Sequence, residues 1–169
     1  MCLKLSLLNK SHDRTRFNCG NKSLDNYIKH QVSQDIRKKL SVCFVLSNKS
    51  NIVKGYYTLS NSSISKNNIP EKFSKKIPAS YSNIPVTLLG RLAIDISIKG
   101  KGHGEYLLID ALRECYRVLK KTIGSFAVVV EPINNEALSF YKKYDFIMLP
   151  NSGKMFLSMN VISKLFPNI

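Results

Sequence analysis

Leu88–Glu105, LLGRLAIDISIKGKGHGE, is the stretch whose reading decides the fold. An apolar, β-branched run from Leu88 to Ile98, interrupted by Gly90, Arg91 and Asp95, leads into glycines at 100, 102 and 104. Helical spacing follows at once in Leu107, Leu108, Ala111, Leu112, Cys115, Tyr116 and Leu119. Strand, glycine loop and helix in this order form an anion site. Glycines let the backbone approach a phosphate closely, and the unpaired N–H groups of the first helical turn point at it. Lys99 and Lys101 add positive charge there. The segment predicts a phosphorylated ligand.

The flanking sequence supplies the other layers. Leu3, Leu5 and Leu7 alternate, which predicts a strand over residues 2–9. Asn21 or Ser23 can cap a helix whose apolar face is Leu24, Tyr27, Ile28, Val32 and Ile36. Arg37, Lys38 and Lys39 end it, where cations complement the helix dipole. Val42–Ser47 and Ile52–Ser63 read as strands joined by a hairpin at Asn48–Asn51. Residues 64–86, polar and proline-containing, read as a long loop with a short helix at 71–77. Beyond the glycine loop the pattern predicts a strand at 125–130, a helix at 135–143 and strands near 146–149 and 154–161. The order β-α-β-β-β-α-β-α-β-β implies an α/β (α+β) chain with a mixed sheet and helices on both faces.

With 169 residues, of which 44% are hydrophobic, the chain is expected to form one domain over 1–169 with a full core. No apolar run approaches the ~20 residues of a membrane span. The first residues lack the basic start and small-residue cleavage site of a signal peptide. Cys2, Cys19, Cys43 and Cys115 exclude a CxxC metal pattern, and His12, His30 and His103 are scattered, so no metal site is expected. Reduced thiols and a cytoplasmic location are expected. Net charge is +15 and unevenly placed. Between Ile36 and Ile94 ten Lys or Arg stand against a single acid, Glu71. A lysine-rich composition explains many lysines but not the missing acids. A nucleic-acid partner explains both.

KGKGHG fails the dinucleotide fingerprint GxGxxG, because Glu105 stands at the third glycine position, and it lacks the G-K-[ST] of a P-loop. Lys99-Gly100-Lys101-Gly102-His103-Gly104 instead resembles the acetyl-CoA motif [QR]-x-x-G-x-[GA] of the GNAT acetyltransferase superfamily, with Lys99 in place of Gln or Arg. Asn134-Asn135-Glu136-Ala137-Leu138-Ser139-Phe140-Tyr141 resembles the N-x-x-A-x-x-F-Y segment of that superfamily. Asp145 replaces the usual glycine before Phe146, and Asp tolerates a left-handed backbone. Phe17–Asn21 with Leu24 and Tyr27, then Gly55–Ser60, then Leu88–Asp95, are similar to GNAT toxins of type II toxin–antitoxin modules, from about His12 to Met159.

The resemblance implies the GNAT fold, with a mostly antiparallel mixed sheet of six to seven strands. It also implies an acetyl-CoA-dependent N-acetyltransferase that modifies the α-amino group of aminoacyl-tRNA and blocks translation. Its implied partners are a DNA-binding antitoxin, often of the ribbon-helix-helix type, and a second copy in a homodimer. Carried onto matching positions, Leu92, Ala93 and Ile94 would meet the acetyl-pantetheine arm. The amides of Lys99, Gly100, Lys101, Gly102, His103, Gly104 and Glu105 would hold the pyrophosphate, with Asn134 and Phe140 also at the cofactor. Tyr141 would be the general acid for the leaving thiolate.

No residue stands out as a base, and Asp95 and Glu131, near strand ends, suit an ion pair or a cap. An α-amine titrating near ~7.7–8.0 retains a neutral fraction without one, unlike a lysine near ~10.4. Arg91, Lys38, Lys39, Lys72, Lys75 and Lys76 are the candidates for RNA phosphates, Arg91 foremost because it precedes the acetyl-binding strand. A GNAT enzyme acting on a small-molecule or protein amine, and a degenerate GNAT binding module, are the competing readings.

Overall fold

The computed structural model describes residues 2–169. In chain order the elements are β1 (Leu3–Leu7), α1 (Lys22–Asn26), a π turn (Tyr27–Gln31), α2 (Val32–Arg37), β2 (Val42–Asn48), β3 (Val53–Ser65), α3 (Glu71–Ser74) and β4 (Asn83–Ile94). There follow α4 (His103–Lys121), β5 (Ala127–Val130), α5 (Asn135–Lys143), β6 (Ile147–Met148), β7 (Met155–Ser158) and α6 (Met159–Leu165). The strands form one mixed sheet of order β1-β2-β3-β4-β5-β7-β6. The pairs β1–β2, β2–β3, β5–β7 and β6–β7 are antiparallel, and β4–β5 is parallel. The mixed, mostly antiparallel sheet expected from the sequence is therefore present. No helix among the described residues is long and apolar enough to cross a membrane.

The chain divides into two compact units. One comprises the chain up to Ser60 with Leu89–Ala111, and the other Asn61–Leu88 with Leu112–Ile169. In the first unit, strand alternation sorts side chains onto two faces. Tyr56, paired across the ladder with Val45, packs with Tyr27, Ile28, Val32, Val53 and Ala93, on the face covered by α1, the π turn and α2. Asn21 caps α1 by accepting a bond from the Leu24 N–H at 3.1 Å. Gly55 and Tyr57 turn to the opposite face, under α4. The Tyr57 hydroxyl donates to the buried Asp110 carboxylate at 2.6 Å. A Cβ on Gly55 would lie 2.8 Å from Ile94 Cδ1 and 3.1 Å from Leu107 Cδ1, so the missing side chain lets α4 approach the sheet. Helices thus cover both faces of the sheet in this unit.

The second unit is centred on β5 and β7, whose residues are all buried. Phe156 packs with Ile64, Ile69, Ile84, Val86, Val129 and Leu149. Phe73 of α3 meets the Phe156 ring edge-on at 5.1 Å.

Several bounds differ from expectation, and three of the differences have a clear physical reason. The loop expected over 64–86 is shorter, because β3 reaches Ser65 and β4 begins at Asn83. Its apolar Ile64, Ile84 and Val86 are buried strand positions, a fact that tertiary packing alone supplies. The strand expected to reach Ile98 ends at Ile94, because Asp95 caps a 3₁₀ turn over Ile96–Ile98. The last strand stops at Ser158, which caps α6 by accepting from the Val161 N–H. Capping there outweighs the strand-like composition of the following residues.

Burial pushes the Cys43 and Cys115 thiols up to about 12 and raises the Tyr56 and Tyr141 phenols as well. A group whose pKa is raised on folding stabilises the fold fully below its unfolded pKa, and that stabilisation is lost as pH rises towards the folded value. Chemical denaturation midpoints should therefore fall from about pH 8.5 upward, by as much as ~1.4 kcal/mol per pH unit for each ionising thiol. A midpoint constant between about pH 8 and about pH 10.5 would contradict the burial of these groups.

Candidate active site

The glycine loop is reached through Asp95, which is only 4% exposed. One carboxylate oxygen accepts from the Ser97 N–H at 3.0 Å and from the Ser97 hydroxyl. The other accepts from the Asn18 N–H at 3.0 Å, and Lys54 Nζ stands 3.5 Å from the carboxylate. Burial pushes this carboxyl up. The Ser97 hydroxyl, the Asn18 and Ser97 amides and Lys54 together outweigh it and hold the group below the ordinary Asp range. Backbone bonds from Asp95 N–H to Lys54 O and from Ile96 N–H to Asn18 O, both 2.8 Å, fix the same corner. Asp95 therefore acts as cap and ion-pair partner, as its position at a strand end suggested.

From this anchor the chain runs through exposed Lys99 and Lys101, with Gly100 at φ +77° and Gly102 at φ +79°. That backbone region disfavours any residue with a Cβ. His103, Gly104 and Glu105 form the first turn of α4, and the Tyr106 N–H bonds Gly102 O at 3.0 Å. The N–H groups just ahead of Tyr106 therefore have no carbonyl behind them within the helix. A Cβ placed on Gly100 or Gly102 would meet nothing within 4 Å, so the outer side of this cradle is open to a ligand. The cradle suits a pyrophosphate, and α4 is long enough to present an effective dipole. Leu92 and Ile94 are half-buried and Ala93 buried on β4. The parallel ladder to β5 uses Thr87 and Leu88, and Leu92, Ala93 and Ile94 lie beyond it.

In the second unit, α5 is bounded as the sequence predicted. Asn134 caps it, its side-chain oxygen accepting from the Ala137 N–H at 2.9 Å. Asp145 adopts φ +64°, and the Phe146 N–H returns to Tyr141 O at 3.2 Å, the left-handed ending normally taken by glycine. This ending sets Phe146 against Tyr141, with ring centroids 5.2 Å apart, while Phe140 contacts Tyr141 at 5.3 Å and Tyr144 at 5.1 Å. Tyr141 is 7% exposed, and burial alone raises its phenol above the usual range. No group among the described residues hydrogen-bonds its hydroxyl.

The basic candidates fall in three places. Lys38 and Lys39 are exposed at the end of α2, Lys39 at φ +62°. Lys72, Lys75 and Lys76 lie on or beside α3, where Lys72 Nζ is 5.0 Å from the Phe73 ring and Lys75 pairs with Glu71 at 2.7 Å. Lys75 and Lys76 also line a cavity of about 700 Å³ with Lys66, whose Nζ donates to Ile77 O and Pro78 O. Arg91 is half-buried, its guanidinium 3.5 Å from the centre of the Tyr27 ring. The sequence placed Tyr27 on the apolar face of a helix and within the toxin-like motif, but did not foresee this contact, since no local pattern links two residues so far apart.

Comparison with known proteins bears on these arrangements. No protein-family model matches the chain. A tRNA-acetylating toxin of Mycobacterium tuberculosis (strain ATCC 25618 / H37Rv) is 32% identical over 143 residues, covering 85% of this chain and 83% of that protein. Among solved structures, a tyrosine-to-phenylalanine mutant of KacT matches with a TM-score of 0.90 and 32% identity, over 97% of this chain and 99% of the other. AtaT complexed with acetyl-methionyl-tRNAfMet matches with a TM-score of 0.89 and 32% identity, over 98% and 99%. A mutant AtaT toxin bound to acetyl-CoA and the C-terminus of the antitoxin AtaR matches at 0.81 and 27%, over 99% of both chains.

Proposed function

This chain belongs to the family of tRNA-acetylating toxins with the GNAT fold, and from that membership we propose how its residues divide the work. It is an acetyl-CoA-dependent N-acetyltransferase that acts on aminoacyl-tRNA, and the α-amino group is the acceptor. One observation carries the reading. The open cradle at Gly100–Glu105 belongs to a chain that matches, over 98% of its length, a toxin holding an acetylated methionyl-tRNA.

Acetyl-CoA supplies the activated acetyl group. The amides at Gly100–Glu105 hold its pyrophosphate, and Lys99 and Lys101 add charge. The β4 backbone at Leu92, Ala93 and Ile94 orients the acyl arm, and one of its N–H groups stabilises charge developing on the carbonyl oxygen. Asn134 and Phe140 position the segment that carries Tyr141. Tyr141 donates a hydrogen bond, and finally its proton, to the departing thiolate. The α-amine, partly neutral at physiological pH, needs no base to free its lone pair. Its nitrogen attacks the thioester carbon as the C–S bond breaks, its surplus proton passes to water, and Tyr141 is reprotonated from water.

Acetylation of charged tRNA removes it from translation, which accounts for toxicity. The extended reading is a cytoplasmic homodimer of single-domain chains, held in check by a ribbon-helix-helix antitoxin. A related toxin carries the C-terminus of its antitoxin, which supports that partnership. The basic groups Arg91, Lys38, Lys39, Lys72, Lys75 and Lys76 support RNA as the carrier of the amine.

Incubation with radiolabelled acetyl-CoA should label aminoacylated tRNA and leave deacylated tRNA unlabelled, with activity falling steeply as salt rises. Failure to label either tRNA overturns the assignment. Weak salt dependence with labelling of a small amine or a protein terminus favours the alternative substrate.

A further inference from the structure

The geometry points to Arg91 as the residue that grips a phosphodiester of the tRNA substrate, and to Tyr27 as the positioning residue that sets the plane of its guanidinium. The inference rests on the aminoacyl-tRNA reading above and identifies one contact within it.

The guanidinium carbon of Arg91 is 3.5 Å from the Tyr27 ring centroid, so the planar cation lies on the face of the ring. Stacking occupies the faces of a guanidinium and leaves its in-plane N–H donors directed outward. Among the described residues no carboxylate, carbonyl or hydroxyl takes those donors. A planar, half-buried, preorientated fork with unspent donors is suited to bidentate capture of a phosphate.

The ring beneath it is held from several sides. Tyr27 is 1% exposed and starts the π turn between α1 and α2. Its hydroxyl donates to the Asp35 carboxylate at 3.0 Å. Its ring lies nearly parallel to that of Tyr56, 6.3 Å between centroids, and the Tyr56 hydroxyl is tied to Leu24 O at 2.8 Å. Arg14 donates to Ile28 O at 3.1 Å and to Ser33 Oγ at 3.0 Å, bracing the turn. π turns of this kind are frequent at functional sites. Here the turn sets an aromatic platform under a cation.

Strand alternation separates this fork from the cofactor's phosphates. Arg91 and Ala93 share one face of β4, and Ala93 packs with Tyr27 and Tyr56. Ile94 faces the other way, towards Gly55 and Leu107 of α4, the helix that begins at the glycine cradle. Arg91 therefore stands on the face opposite α4, and its anion is one that the other substrate brings.

The test uses the full chain with a bulk pool of charged and deacylated tRNA. Four variants are compared: Arg91→Gln, Arg91→Lys, Tyr27→Phe and Tyr27→Leu. Arg91→Gln should weaken tRNA binding and raise the KM for charged tRNA about tenfold, in the range of one charged contact. It should also lower the slope of log K against log salt by about 0.9 for a duplex phosphate contact, with the KM for acetyl-CoA unchanged. Arg91→Lys retains the charge but not the stacked plane. It should keep the salt slope and still lose most of the affinity. Tyr27→Phe keeps the ring face but loses the bond to Asp35, so its tRNA affinity should fall between those of the parent and Tyr27→Leu. Tyr27→Leu should match Arg91→Lys and add nothing when the two are combined.

If Tyr27→Leu does not fold, the contrast between Arg91→Lys and Arg91→Gln still decides the point. Unchanged tRNA binding in Arg91→Gln, a raised KM for acetyl-CoA instead, or full affinity in Arg91→Lys each overturns the inference. Arg91-dependent tRNA binding by a protein that acetylates no charged tRNA would refute the proposed reaction and leave this contact standing.

Discussion

Replacing Tyr141 by Phe should lower kcat by roughly 10²–10⁴-fold, the usual range for a lost proton donor, while the protein folds as before. The substitution removes one oxygen. Phe140 and Phe146 already pack the ring from two sides, at 5.3 and 5.2 Å, and a phenyl group retains both contacts. The lost hydroxyl has no partner among the described residues, so its removal orphans nothing. The melting temperature should hold or rise slightly.

Burial raises the phenol, so it stays protonated across the working range. A donor of this kind releases its proton late, as charge accumulates on the leaving sulfur, and before then it stabilises that charge by hydrogen bonding. The parent enzyme should accordingly show no alkaline fall in kcat from Tyr141 below about pH 10. Single-turnover acetylation with saturating charged tRNA measures the effect. A rate for the Tyr141→Phe variant equal to that of the parent would remove Tyr141 from the chemistry.

Replacing Asp95 by Ala should have the largest effect on stability, about 3–5 kcal/mol, because it leaves buried donors without an acceptor. The Asn18 and Ser97 amides, the Ser97 hydroxyl and Lys54 all converge on this carboxylate. For a chain of this length the melting temperature should fall by very roughly 6–20 °C. The loss should also reach the cofactor. Asp95 ends β4 and caps the turn that delivers the chain to Gly100, so releasing it loosens the cradle and raises the KM for acetyl-CoA. Asp95→Asn keeps one acceptor and should lie between.

The carboxyl is held below its ordinary range, so its contribution is present above about pH 4 and is lost as the pH falls through the lowered folded value. Thermal melts of the two variants at neutral pH, beside an acid titration of the parent, check this. A change in melting temperature of under about 2 °C in Asp95→Ala would show that the corner holds without it.

Much of the local geometry of the candidate glycine cradle and of α5 was legible because its signals are local. Glycines at 100 and 102 require positive φ, and both adopt it. The helix read over 135–143 is α5 itself, because Asn134 and Asp145 mark its ends within one turn of the residues they serve. Of the two caps the sequence offered, Asn21 and Ser23, the fold uses Asn21. The errors came where a local pattern was ambiguous. The run after Ser158 has strand-like residues and a helix cap, and packing chose the helix. The segment after Ser63 was polar enough to read as a loop, yet Ile64, Ile84 and Val86 are core.

The sequence by itself determined the order of elements as far as β7, the glycine cradle, the bounds of α5 and the family to which the chain belongs. The first three depend on φ preferences, caps and periodicity, which act over a few residues; the family was read from the resemblance of whole motifs. Tertiary structure alone decided that Asp95 joins Asn18, 77 residues away, and that Arg91 lies on Tyr27. Such partners meet only when strand register and the pleat bring distant segments onto one face. A linear pattern shows which face a side chain takes, but not what waits there.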